Sequence, residues 1–247
     1  MSKRALRRRY YDLFARVYDR FVEWHSGDPT GPMRKALAER AASGTARRVL
    51  DLCCGTGAVT RALAQCLGEG SLVVGLDFSR GMLRRGVQAA RQAGVSSIRW
   101  VQADASALPF RAARFDAVTC AYALYELKGG ARTEMLREVA RVLSPGGRFL
   151  AMEHEIPTQP LPQFLFFLRL TVMGAEGARA FLGGELQELG RVFHRVGKEL
   201  VPPGKSKILV GIKQPKPGIG TEPRPASQEP RMKRPASGET SDRRGMS

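Results

Sequence analysis

At 247 residues and 43% hydrophobic composition, the chain can bury one full core and has the makeup of a single soluble globular catalytic domain. Cys53, Cys54, Cys66 and Cys120 show no Cys-x-x-Cys spacing and the three histidines lie far apart, which excludes a zinc framework and a disulfide scaffold and suits a reducing cytoplasm. The formal net charge of +17 favours anionic surfaces, nucleic acid or acidic lipid, and about half of the excess sits at the two ends, as in Lys3, Arg4, Arg7, Arg8 and Arg9.

In chain order, residues 3–24 place Leu6, Tyr10, Leu13, Phe14, Val17, Tyr18 and Phe21 on one helical stripe, which predicts an amphipathic leading helix. Arg7, Arg8 and Arg9 directly after Ala5-Leu6 read against a signal peptide. The Gly-Asp-Pro-Thr-Gly-Pro cluster at 27–32 breaks that helix, and a second is predicted over 33–42. Strands at 49–53, 72–76, 98–101, 116–120 and 148–153 then alternate with helices at 60–67, 81–93 and 131–143. Such alternation specifies an α/β doubly wound sheet, mostly parallel and covered on both faces. A further helix is predicted at 186–196, followed by an antiparallel C-terminal hairpin of strands 198–202 and 207–212 around Pro203-Gly204. The organisation expected is an N-terminal helical cap over 1–45, one catalytic domain over 46–213 and a disordered basic tail over 214–247. That tail, rich in Pro, Ser, Gly, Arg and Glu, cannot bury enough surface to order itself.

The first strand runs from Val49 through Asp51 and Cys53-Cys54 into Gly55-Thr56-Gly57 and a helical stretch, and a second acid, Asp77, closes the next strand. Glycines at a strand-to-helix turn let backbone approach a ligand, and an acid at the following strand end sits where a ribose hydroxyl pair would lie. A dinucleotide site would want a third glycine where Thr60 stands, so NAD is the weaker reading. An acid at Asp51 and only two glycines suit a ligand without a pyrophosphate. Further on, Asp104-Ala105 precedes Leu108-Pro109-Phe110, Phe115-Asp116-Ala117-Val118 opens strand four, and 141–150 reads as a helix end, a Pro-Gly-Gly turn and strand five.

In these segments the chain resembles the class I S-adenosylmethionine-dependent methyltransferases, and within them the ubiquinone and menaquinone biosynthesis enzymes, over about residues 10–213. The resemblance implies a Rossmann-like fold and S-adenosylmethionine as cofactor. It assigns Asp51, Gly55, Thr56 and Gly57 to the cofactor loop, with Thr56 at the methionine part. Asp77 would hold the ribose, Phe78 and Met82 the adenine faces, and Asp104 and Ala105 the adenine edge. Ala121 stands where the family has a serine at the end of strand four. The quinone enzymes' Arg-Asn is here Tyr125-Glu126, their Met-Asn is Arg20-Phe21 after Tyr18-Asp19, and the serine closing their late motif is Glu155. These departures all lie on the acceptor side.

Methyl transfer needs an acceptor lone pair in line with the carbon–sulfur bond, so positioning supplies most of the acceleration and a base helps only where a proton must leave. Tyr18, Tyr122, Glu126 and His154 are the candidates for that base. The apolar segment 161–173 is short of the ~20 residues that a membrane-spanning helix needs and reads equally as a buried core helix or as a substrate lid, the lid setting Phe164 and Phe167 beside Tyr10 and Tyr18 as ring faces for a greasy acceptor. The expected function is methyl transfer to a small hydrophobic acceptor, a quinone precursor or lipid, by a cytoplasmic enzyme with peripheral access to anionic membrane. An RNA methyltransferase is the alternative favoured by charge, although Ala121-Tyr122-Ala123-Leu124 replaces the Asn/Asp-Pro-Pro-aromatic turn of base-amine enzymes. A non-catalytic S-adenosylmethionine-binding module is the third reading.

Overall fold

The computed structural model describes residues 31–127, 130–172, 181–202 and 206–216. The expected leading helix with Tyr10 and Tyr18, the turn at 203–205 and the basic tail beyond Lys216 lie outside the described residues. Chain order is α1 (Pro32–Ala42), β1 (Arg48–Leu52), α2 (Ala58–Leu67), β2 (Leu72–Asp77), α3 (Arg80–Gln92), β3 (Ile98–Gln102) and β4 (Phe115–Ala121). A 3-10 turn (Leu124–Glu126), α4 (Gly130–Val142), β5 (Leu143–His154), α5 (Pro160–Val172), α6 (Glu185–Gly190), β6 (Arg195–Val201) and β7 (Ser206–Ile212) follow.

Among the described residues the strands form a seven-stranded sheet of order β3-β2-β1-β4-β5-β7-β6. β1 to β5 are parallel, and β7 inserts antiparallel between β5 and β6, as the expected doubly wound sheet with a C-terminal hairpin requires. The chain winds outward from β1 to β3 on one side and returns to β4 on the other. The crevice at the carboxyl ends of β1 and β4 is therefore the topological switch point, where such sheets bind ligands.

Alternating strand residues feed two cores, because successive side chains point to opposite faces. Leu50, Leu52, Val74, Val118 and Phe149 meet Met135, Leu136 and Val139 of α4 together with Phe181 and Leu189. Val49, Val73, Ala117, Leu150 and Ile208 meet Leu37 and Ala41 of α1 and Val59 and Leu63 of α2. Each such side chain contributes on the order of 1.5–3 kcal/mol by leaving water.

Two predicted elements change. The helix expected over 186–196 stops at Gly190, and Arg195–Val201 pairs in full with β7. Leu189, Val192, Phe193 and Val196 mimic a helical period. Phe193 instead stacks on Phe149 with centroids 5.6 Å apart, over the bare backbone of Gly211. Strand five begins earlier than expected, at Leu143, because Leu143 pairs with Phe115 before an irregularity that admits the Pro-Gly-Gly turn.

Trp100 of β3 explains the glycines near the switch point. A Cβ at Gly86 would lie 2.7 Å from its indole and one at Gly75 3.1 Å, and Gly57 is tighter still. Gly57 also caps α2 at φ 75°. The second glycine of the motif is thus required by the packing of an aromatic ring as much as by approach to a ligand. Gly57→Ala should cost roughly 2–4 kcal/mol, the sum of a left-handed backbone and overpacking. Gly44→Ala, at φ 75° with nothing within 4 Å, should cost only the backbone part, roughly 1–2 kcal/mol. Urea unfolding of the two variants measures the difference, and equal losses would remove Trp100 from the account.

Candidate cofactor and acceptor site

At the end of β2, Asp77 is buried and each carboxylate oxygen accepts a backbone hydrogen bond: Oδ2 from Gly55 N–H at 2.9 Å and Oδ1 from Ser79 N–H at 2.8 Å. The loop between β1 and α2 is closed further by Cys54 N–H to Leu76 O (3.0 Å) and Gly57 N–H to Cys54 O (2.8 Å). Asp77 therefore fixes the glycine loop to the neighbouring strand. Burial pushes its pKa up to about 6, against the pull of the Ser79 and Gly55 amides, and the charge of Glu126 adds to the rise.

Asp51 lies deeper. Its Oδ2 accepts from Thr60 Oγ1 (2.6 Å) and its Oδ1 from Thr119 Oγ1 (2.8 Å), tying β1 to α2 and β4. Burial also raises Asp51 to about 6, with the two threonine hydroxyls opposing the rise. Thr60, which stands in place of the third glycine of a dinucleotide site, is thus the partner of Asp51. The adjacent thiols are small core groups: Cys120 is fully buried, and no cluster suited to a metal occurs among the described residues.

The other cofactor candidates surround the same crevice. Thr56 is buried at the start of α2, and its carbonyl accepts from Arg61 Nη1 at 2.8 Å. Phe78 is half-buried beyond Asp77, with Gln102 Nε2 donating to its carbonyl at 3.1 Å. Ser79 caps α3 by accepting from Met82 N–H at 3.2 Å, which turns Met82 inward. Asp104 is exposed and binds Ser106 N–H (2.9 Å) and Ser106 Oγ–H (2.7 Å), while Ala105 is buried. Their loop is held from below, where Glu138 accepts from Leu108 N–H at 2.8 Å and Arg141 donates to Phe110 O at 2.7 Å.

On the acceptor side, Ala121 ends β4 opposite Met152. Tyr122 follows at φ 56°, and Cys53 follows β1 at φ 52°. Two non-glycine residues in the left-handed region at adjacent strand ends mark the crevice as strained, as functional sites often are. Tyr122 Oη shares a hydrogen bond with Ser206 Oγ at 2.9 Å, and its ring lies 4.7 Å from the His154 imidazole. Tyr125 (5.9 Å) and Phe166 (6.1 Å) complete the aromatic surround of His154. Tyr122 and His154 are thus in one group, and Glu126 follows Tyr125 in the 3-10 turn. Tyr18 lies outside the described residues.

The lid rings are redistributed relative to expectation. Phe166 reaches His154 and Phe167 packs on Phe166 at 5.5 Å, whereas Phe164 is 61% exposed. Helical spacing decides this, since Phe164 and Phe166 lie on different faces of one helix.

Sequence reasoning missed a charged cluster beyond His154. Glu155 pairs with Lys198 Nζ (2.9 Å) and Lys207 Nζ (3.3 Å), and buried Lys207 also pairs with Glu185. Burial raises Glu155, but Lys198 and Lys207 outweigh it and hold its pKa below the usual glutamate value. Glu153, fully buried, was also missed. Its signal was present as an acid ending the apolar run Phe149-Leu150-Ala151-Met152.

Comparison with known proteins settles the family. A model described as a methyltransferase domain matches residues 49–147. A demethylmenaquinone methyltransferase of Geobacillus stearothermophilus is 31% identical over 219 residues, 81% of this chain and 93% of that protein. The chain belongs to the S-adenosylmethionine-dependent methyltransferases of the menaquinone-biosynthesis family. A Lactococcus lactis enzyme of the same name is 37% identical over 135 residues, 55% of this chain, and the match spans only about half, 53%, of that relative. An O-methyltransferase family protein of Burkholderia thailandensis shares the fold at 17% identity, with a TM-score of 0.61 over 84% of this chain and 60% of that one.

S-adenosylmethionine is the cofactor of this family, and the crevice fits it. The buried acid Asp77 ends β2, the glycine loop it fixes lies at the start of α2, and Asp104-Ala105 follow β3, an arrangement with room for backbone and acidic contacts to a nucleoside. Because ionised Asp77 has full acceptor capacity, cofactor affinity should rise with pH through about 6 and level off above it. Asp77→Ala should weaken binding by roughly 1.5–3 kcal/mol and flatten that dependence. Calorimetric titration between about pH 5 and pH 8 tests both, and an unchanged slope in the variant would assign the pH effect to another group.

Proposed function

We propose that the chain transfers the methyl group of S-adenosylmethionine to a hydrophobic, quinone-type acceptor at the carboxyl ends of β4 and β5. The observation that carries this reading is the aromatic group Tyr122, Tyr125, His154 and Phe166 at the ends of β4 and β5, whose turn also holds Glu126, near enough to Asp77 for its charge to raise the Asp77 pKa. A flat, apolar ring finds stacking faces there, and a nucleic-acid backbone finds none. The cofactor supplies an electrophilic methyl on a sulfonium. The protein's part is to hold ribose at Asp77, adenine at Asp104-Ala105, and the acceptor ring against the aromatic faces with water excluded. Glu126, His154 and Tyr122 are the groups within the mouth that can take a phenolic proton from a quinol.

Access to such an acceptor involves the membrane surface. Leu161, Phe164, Leu165 and Leu168 are exposed on α5 at helical spacing, and the chain carries a net charge of +17. No helix among the described residues is long and apolar enough to cross a membrane. An exposed apolar stripe on a basic protein suits peripheral contact with anionic lipid, where a prenylated acceptor resides.

With labelled cofactor, the wild-type chain should methylate a prenylated quinol in vesicles and leave total RNA unlabelled. Label in RNA alone would transfer the assignment to the nucleic-acid reading. In flotation assays Phe164→Asp combined with Leu165→Asp should reduce binding to anionic vesicles at least about tenfold, since each buried ring or chain is worth ~1.5–3 kcal/mol. Cofactor affinity should persist, and flotation equal to wild type would remove α5 from the membrane contact.

A further inference from the structure

The turn that carries the acceptor-side residues is held by two buried ionisable side chains, Glu153 and Arg132. Glu153 Oε1 accepts from Leu124 N–H at 2.9 Å. On the opposite side Arg132 Nη1 donates to Leu127 O (2.7 Å) and Leu124 O (3.4 Å), while its Nε pairs with Glu188 (2.9 Å). Tyr125 and Glu126 extend from this turn, and Tyr125 meets His154. Glu153 is 0% exposed, and its Oε2 has no hydrogen-bond partner among the described residues.

Charge balance fixes which form of Glu153 the fold accommodates. The groups facing it are Lys207 from β7, Glu185 from α6, Glu126 from the turn and Cys120 from β4. Lys207 is already taken by Glu155 and Glu185, and Lys198 pairs with the first of these. Lys198 and Lys207 balance Glu155 and Glu185, and Glu126 adds a further negative charge. An ionised Glu153 would add another anion, enclosed and with an unpaired oxygen, which costs several kcal/mol.

We propose that Glu153 is a positioning residue for methyl transfer, working as the neutral carboxylic acid that holds the Leu124–Glu126 turn and so keeps Tyr125 and Glu126 at the acceptor mouth. The inference rests on the methyl-transfer reading above and adds a residue to its acceptor side. Burial, opposed by the Leu124 amide and Lys207 and reinforced by Glu126 and Glu185, pushes the Glu153 pKa up to about 8. The sign follows. A folded pKa above the ordinary glutamate value of 4.5 gives stability that is full below 4.5 and is lost as pH rises through about 8. Ionisation draws the carboxylate towards water and releases the turn.

Two variants test this. Glu153→Gln keeps a neutral side chain with a carbonyl for Leu124 N–H, whereas Glu153→Leu keeps bulk and loses the acceptor. The Gln variant should retain turnover within about threefold of wild type at neutral pH and should lack the wild-type decline above about pH 8. The Leu variant should lose at least about tenfold in kcat/KM for the acceptor while its cofactor Kd stays within about twofold. Without any acceptor, the melting temperature of the Gln variant relative to wild type should climb as pH rises from about 5 to about 8. Hydrogen exchange at the Leu124 amide should be slow in wild type and the Gln variant and fast in the Leu variant. The proposal is overturned if the Gln variant is as impaired as the Leu variant at neutral pH, keeps the alkaline decline, or gains nothing in melting temperature with pH. A fully active Leu variant also overturns it. If wild type methylates no quinol, the functional reading fails, and the melting and exchange results still decide the state and hold of Glu153. If the Leu variant does not fold, the Gln profile and melts decide alone.

Discussion

Carboxylates removed from water at the carboxyl ends of parallel strands govern the rest of this structure. Asp51, Asp77 and Glu153 stand at or near the ends of β1, β2 and β5, and all three are buried. An enclosed carboxylate must find donors, and the donors here are local backbone amides or threonine hydroxyls whose loops are fixed by the bond. Asp77 takes the glycine loop through Gly55 and the α3 cap through Ser79. Asp51 takes α2 through Thr60 and β4 through Thr119. Glu153 takes the turn after β4 through Leu124. The cost of burial is thus converted into definition of the loops that surround the crevice.

The cofactor half and the acceptor half were unequally legible in the sequence. Asp77, Gly55 and the succession of strands along the chain were readable because they depend on local motifs and on periodicity. The parallel sheet follows from alternation alone. Trp100 was not readable as the reason for Gly57 and Gly86, because that contact joins β3 to a loop and a helix distant in sequence. Nor was the bond from Thr60 to Asp51, although the absent third glycine pointed to the position. The helical period through Leu189, Val192 and Phe193 misled for a related reason. Main-chain pairing of β6 with β7 and the stacking of Phe193 on Phe149 overrode the local pattern.

Departures from the quinone-enzyme pattern acquire a physical meaning in the fold. Where those enzymes close their late motif with serine, Glu155 here neutralises Lys198 and shares Lys207 with Glu185. A glutamate at that position requires cations on β6 and β7, and the chain supplies both. The substitution is one member of a set that reaches across the antiparallel hairpin. Tyr125-Glu126, in place of Arg-Asn, replaces a cation with an aromatic ring and an anion at the mouth. In this chain Arg132 from α4 holds the turn by the carbonyls of Leu124 and Leu127.

The two strained residues connect these halves. Cys53 and Tyr122 follow adjacent strands, and the left-handed backbone at each costs roughly 1–2 kcal/mol. Such a cost persists only where surrounding bonds over-determine the chain. Tyr122 is held by its amide on Met152 O (2.7 Å), its hydroxyl on Ser206 and its ring on His154. The left-handed backbone at Tyr122 turns the chain out of β4 towards the Leu124–Glu126 turn. β5 and β7 supply all three restraints on Tyr122. The C-terminal hairpin, remote from the cofactor motifs in sequence, is therefore part of what shapes the acceptor mouth proposed above.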